Sequence, residues 1–504
     1  MTDQPVVLNG SALNIDSLNT IASGRQVIID QESLERMQQS NALILQAARS
    51  GKLVYGVTTA LGPQVQTVLD NQAINEFAIK TIRGRAHAVG PPLSRHLTRA
   101  AMTVRLNSLL TGASGASPAI ASRLQACLNA DLIPVVGETA SVGAADLLWG
   151  ATMGLALIGE GRFIEHEQDS CDVLAAAGIE PLVLGPRDGL ALSSHSGFST
   201  ALAAIGQHRA NVLWHNAQLA TALTLEGFRG NLSPLNPDLL KARMQPGQNE
   251  SAQDISQLLS GSGLYKPDAA RRLQDPLSIR NIVQVHGTVH ATLVLLAETV
   301  ELEVNGASDN PIVLMETKEI LSSGAYLNPH LGSLLVAVNH ALVQMAAASV
   351  SRGARMMSNR FTDLQIGLHT GATGSVGLGA ATKVTEALFA EIVQLASPPA
   401  VYPPTQADSV EDCISNTAIS AKALLSLVDK LNVIVAFEML AAVHAIYLRQ
   451  TENVLAPALV PVAEAIRKLS PAITEDRSLT AELESLAAML ADNRFNFVRH
   501  NEAS

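Results

Sequence analysis

Hydrophobic and polar positions fall into two regimes along the chain. From Ser199 onward, proline-free stretches run from Ser199 to Ser233, Leu277 to Asn310, His330 to Ser397 and Thr405 to Ala456. Within them Ala, Leu and Val occupy much of the helical circumference, as in ALVQMAAASV and ALLSLVDKLNVIVAFEMLAAVHAIYL. Spans of that length without a breaker predict long helices, and helices apolar on several sides must be buried on several sides. Before Ser199 the pattern is short-ranged. Clusters such as GPQ at 62, GPP at 90, GASGASP at 112 and GPRDG at 185 cut it into short helices and loops. The expected architecture is all-α, with a smaller N-terminal head over residues 1–200 and a long helix bundle over residues 201–504.

Composition agrees with this. Hydrophobic residues make up 47% of the 504-residue chain but aromatics only 3%, a helical balance. The formal charge of −11 speaks against nucleic acid or an anionic membrane as the partner and leaves a small molecule as the simpler one. Cys127, Cys171 and Cys413 are far apart and match neither a zinc motif nor a disulfide framework, which suits a reducing cytoplasm. The N-terminal MTDQPVVLNG lacks the basic and apolar regions of a secretory signal. The segment Leu331–Val350 approaches the length of a membrane span, but Asn339, His340 and Gln344 interrupt it, so it reads as a core helix. GATGSVGLG (371–379) has glycines like a phosphate loop but no following Lys-Ser/Thr and no preceding strand, and reads as a turn. His286 and His290 in HGTVH have metal-ligand spacing without a third ligand, and read as core or interface residues, so no metal is expected.

The candidate chemistry lies in the order of short motifs. Tyr55 sits in VYGVTTALG, whose glycines and threonines favour a loop presenting a phenol to a cleft; His87 follows in GRAHAVGPPL. Then come RLNSLLTGASG (105–115), SVGAADL (141–147), GEG, GLAL, QDPLSIR ending at Arg280, SDNP with Asn310, and the pair Glu411-Asp412. This succession, over residues 50 to 420, resembles the histidine/phenylalanine ammonia-lyase superfamily. The resemblance implies an all-α homotetramer whose sites are shared between three subunits. It implies that Tyr55 is the general base on the substrate's β-carbon, that Arg280 clamps the carboxylate, and that His87 and Glu411 contact an imidazole ring. Asn310 lies near the carboxylate in that scheme, although a turn before Pro311 would account for it equally well. The same resemblance implies that Ser194 and Tyr326 complete the substrate pocket.

One departure matters more than the matches. The family's S-V-G-A-S-G-D-L segment cyclises and dehydrates to a methylidene-imidazolone electrophile. Here the segment reads Ser141-Val142-Gly143-Ala144-Ala145-Asp146-Leu147, one residue shorter and without the serine or glycine after Ala144. No cofactor is therefore expected. Ser194 also replaces a family asparagine, and Leu277 a common tyrosine. Lys383, in ATKVTEAL, appears where histidine lyases line the ring pocket with an uncharged residue. A site that keeps the base but lacks the electrophile suits a substrate whose amine already leaves well. A trimethylammonium group departs as neutral trimethylamine. The chain thus resembles the cofactor-less branch of the superfamily that cleaves ergothioneine to thiourocanate, with Lys383 and Glu411 acting on the ring. Hercynine, the sulfur-free betaine, and a non-catalytic paralogue that binds an imidazole ligand are the alternatives.

Overall fold

The computed structural model describes residues 4–399, 406–496 and 498. About 60% of the chain is helical and 5% is strand, and the strands form three two-stranded sheets. All-α is the right class. The chain divides into two compact units that interleave in sequence. Unit 1 gathers residues 1–208, 296–335 and 398–422; unit 2 gathers 209–295, 336–397 and 423–504. The head therefore extends beyond a contiguous N-terminal block, because two later segments return to it. The boundaries near 208, 295, 335 and 422 fall inside long helices, so the hydrophobic pattern runs across them without a break.

Unit 1 is built around the helix Arg95–Leu110, buried without interruption from Thr98 onward. It packs on the helices Ile15–Ala22, Gln31–Ser50 and Pro118–Asn129. Its helix starts carry caps that the sequence supplies: Asp30 accepts from the Ser33 N–H, Asp70 from Ala73 and Ser94 from Leu97. All three sheets belong to this unit. Val6–Leu8 pairs in parallel with Val27–Ile29, while Val89–Pro92 pairs antiparallel with Gly137–Thr139, and Ile312–Leu314 with Glu319–Leu321.

Unit 2 contains the apolar length of the helix Thr417–Arg449, whose most hydrophobic window is 83% buried inside the protein. That helix and Pro329–Met356, which contains the Leu331–Val350 stretch, are long and apolar enough to cross a membrane, and protein packing accounts for the burial of the first. A charged knot sits in the core of this unit. The Glu438 carboxylate receives Arg352 Nε at 2.6 Å and Nη2 at 2.9 Å, with the Thr224 hydroxyl at 2.8 Å and the Ser349 hydroxyl at 2.5 Å. Every carboxylate oxygen is thus satisfied, the condition under which a buried ion pair is tolerable. His286 is buried with Nδ1 2.6 Å from Gln218 Oε1, and the ring of His290 lies 4.6 Å from that of Trp214. Both histidines are packing residues, and among the described residues no three His, Cys, Asp or Glu side chains cluster as a metal site. The glycine-rich 371–379 segment is a turn region, held where the Val376 and Gly377 N–H groups donate to Asp476.

Candidate active site

Tyr55 is placed by a loop whose residues each have a structural task. Val54 and Val57 anchor it in an apolar cluster with Ile44, Ala47 and Val313. The Thr58 hydroxyl donates to the Lys52 carbonyl at 2.7 Å and accepts the Val54 N–H at 2.8 Å, folding the loop on itself. Gly56 has φ +65°, and a Cβ there would meet the Leu190 and Leu61 side chains at 2.3 and 2.8 Å. Only glycine suits both constraints. The loop comes round so that the Gly62 N–H donates to the Tyr55 phenol oxygen at 3.1 Å.

A cavity of about 220 Å³ opens beside that phenol, entirely within unit 1. Tyr55, Ser194, Asn310, Tyr326 and Glu411 all line it, together with Arg85, Cys413 and the methyl groups of Ala144 and Ala145. Asn310 is fixed from behind. Its neighbour Asp309 is fully buried and receives Arg105 Nη1 at 3.0 Å and Nη2 at 2.9 Å, Arg187 Nη2 at 3.2 Å and the Ser114 hydroxyl at 2.8 Å. Burial alone would raise the Asp309 pKa, but the two guanidinium charges and these hydrogen bonds hold it below the usual carboxylate range. The RLNSLLTGASG and GPRDG motifs therefore build the wall behind the cavity. The Asn310 side-chain oxygen accepts the Ser323 N–H at 2.9 Å, so this residue has a structural bond as well as a place in the lining.

The altered loop is held as firmly as the loop that carries Tyr55. Asp146 is buried and accepts from the Ser141 hydroxyl at 2.7 Å, the Ser199 N–H at 2.8 Å and the Ser199 hydroxyl at 3.1 Å. Burial nonetheless raises its pKa to about 6. Ser415 donates to the Gly143 carbonyl at 2.9 Å, and the Asn416 N–H to the Val142 carbonyl at 3.1 Å. Those bonds tie the segment that carries Glu411 back to the loop. Ala144 and Ala145 do not fit the family's electrophile: a methyl group has no oxygen to lose as water, so the dehydration that makes the methylidene has no starting material.

Electrostatics single out Arg85, which the sequence reading passed over in favour of its neighbour two positions on. Arg85 is half-buried in the lining, whereas His87 is exposed and lies outside it. Burial lowers the Arg85 pKa, opposed by the Tyr55 and Glu411 charges. Burial raises Glu411, and the Arg85 charge pulls it partly back. Tyr326 is raised by burial, then by the proximity of Tyr55, Glu411 and Cys413. Arg280 and Lys383 belong to unit 2 and line no part of this cavity. Arg280 donates to Gln274 at 2.7 Å in an open cleft that includes Asn231 and Gln284, and Lys383 is exposed on the helix Thr382–Leu395. The sequence signal for Arg85 was present, in the same GRAHAVG loop, but nothing in a loop's residue pattern says which side chain turns inward.

Comparison with known proteins extends the picture. A family model described as aromatic amino acid lyase matches residues 13–468. The histidine ammonia-lyase of Geobacillus thermodenitrificans is 31% identical over 499 residues, covering 96% of this chain and 97% of its own. That of Paracidovorax citrulli is 31% identical over 492 residues, with 95% of each chain covered. Among solved structures, ergothionase from Treponema denticola, in complex with desmethyl-ergothioneine sulfonic acid, matches with a TM-score of 0.92 at 26% identity, over 98% of this chain and 99% of that one. Tyrosine aminomutase from Streptomyces globisporus matches with a TM-score of 0.93 at 28% identity, over 99% of both chains.

Proposed function

The chain belongs to the aromatic amino acid lyase family, and from that premise we propose that it is a carbon–nitrogen lyase that works without the methylidene-imidazolone group, releasing trimethylamine from ergothioneine to give thiourocanate. The observation that carries this reading is that two alanines, Ala144 and Ala145, stand in the lining of the cavity beside the Tyr55 phenol. An electrophile is useful when an α-amine is a poor leaving group with a lone pair to offer. A quaternary ammonium has no lone pair and leaves as a neutral amine, so an apolar floor that accepts its N-methyl groups is the better complement. The likeness to ergothionase supports the same substrate class.

In the proposed reaction Tyr55 takes the β-proton, the Cβ electron pair forms the new double bond, and the Cα–N pair departs with trimethylamine. The Gly62 N–H is positioned to stabilise the phenolate. Glu411, half-buried and without an ion pair among the described residues, is placed to accept a ring N–H. Asn310, Tyr326 and Ser194 shape the remaining wall. Arg280, as the carboxylate clamp, and Lys383 are in this reading supplied by other copies of the chain in a homotetramer, with the reducing cytoplasm as its setting.

The test is to incubate the purified protein with ergothioneine, hercynine and histidine and follow the conjugated acrylate product by absorbance. Turnover of ergothioneine with release of one trimethylamine per product is expected. Turnover of histidine alone would overturn the reading, and binding of the ring compounds without any product would favour the non-catalytic alternative.

A further inference from the structure

We infer that Arg85 recognises the sulfur of the substrate ring, acting with Glu411 as a side-by-side acceptor–donor pair for a cyclic thiourea edge; this rests on the proposed reaction and names what selects its substrate. Three observations lead there. Arg85 and Glu411 line one cavity in one chain. Each is close enough to perturb the other's charge, yet no ion pair joins them, so their charged ends stand more than 4 Å apart. Among the described residues the guanidinium makes a single long hydrogen bond, from Nη1 to the Thr81 carbonyl at 3.5 Å, which leaves its remaining N–H groups unused.

A guanidinium and a carboxylate that share a cavity without closing on each other are poised for a ligand that separates them. That ligand has to present a donor to the carboxylate and, next to it, an electron-rich acceptor to the guanidinium. A ring N–H beside a thione meets this requirement, because the nitrogen and the sulfur are attached to one carbon and point along the same edge. Resonance moves negative charge onto that sulfur, which suits a planar cation with several donors better than a neutral residue would. A plain imidazole has a C–H in the sulfur's place. It would leave Arg85 half-buried and unanswered, so the pair would discriminate against the sulfur-free betaine.

The experiment compares Arg85→Met, Arg85→Lys and Lys383→Met with the unsubstituted protein in two measurements. The first is calorimetric binding of imidazole-2-thione and of imidazole, probes without a leaving group, so that failure of the elimination chemistry leaves the result readable. The second is kcat/KM for ergothioneine against hercynine. Arg85→Met should weaken the thione by about 10- to 100-fold, as for loss of a charge-assisted hydrogen bond, and leave imidazole within about twofold, with Arg85→Lys recovering part of the loss. A merely structural role would weaken both probes together and would overturn the proposal. So would retention of thione preference in Arg85→Met with its loss in Lys383→Met, which would give the sulfur to the lysine.

Discussion

In the proposed reaction Tyr55 is the residue on which the chemistry turns. Tyr55→Phe should lower turnover by about 10²- to 10⁴-fold while substrate binding stays near its original strength, because the substitution removes a proton acceptor and little contact surface; steady-state rates and calorimetry on the same preparation check both halves. The intact mass should equal that of the encoded chain, with no loss of two waters, since Ala145 has no hydroxyl to eliminate. A dehydrated peptide within residues 139–147 would contradict it. At this scale the sequence was legible in the company the named residues keep: Tyr55, Ser194, Asn310, Tyr326 and Glu411 line one cavity. It was less legible for Arg85 and His87. Both sit between the helix Asn71–Arg83 and the strand Val89–Pro92, and no helical or strand period fixes which of two residues in such a turn faces inward.

Among the elements, the long helix Thr417–Arg449 shows how a chain poor in aromatics fills its core, with buried runs of Ala, Leu and Val around the paired Glu438. His444, near its C-terminal end, is 2% exposed and has Nε2 2.9 Å from the Ser470 hydroxyl. Burial, reinforced by the Arg467 and Arg477 charges, lowers its pKa from 6.5 to about 4. Between those values the unfolded chain binds the proton that the native protein refuses, so this histidine's contribution to stability is complete above about pH 6.5 and is lost as pH falls toward 4. His444→Gln should flatten the acid limb of the stability curve by on the order of 2–4 kcal/mol, read from denaturant unfolding at pH 7.5, 5.5 and 4.5. An unchanged difference between variant and parent across that range would show that His444 is not the titrating group. The helices themselves were plain in the proline-free stretches. Their allocation to units was not, because buried faces look alike whichever core they enter.

For the whole molecule, the cavity in one chain carries Tyr55 and Glu411, while Arg280 and Lys383 belong to unit 2 and are not in its lining. If sites are shared between copies, Tyr55→Phe and Arg280→Met should each be nearly inactive alone, and co-expression of the two should restore a fraction of the parental rate, with light scattering reporting a tetramer throughout. A fully active monomer in dilute solution would exclude shared sites. The interleaving of the units bears also on how the protein comes into being at the ribosome. Tyr55 and Arg85 are made early, Asn310 and Tyr326 about two-thirds of the way along, and Glu411 in the last segment that unit 1 receives, 398–422. A nascent chain that has emerged only through its first 208 residues holds Tyr55 without the later part of the cavity lining. Unit 1 can close its cavity only once the segment that ends at residue 422 has left the exit tunnel, so the cavity is not completed by an early, self-contained N-terminal folding event.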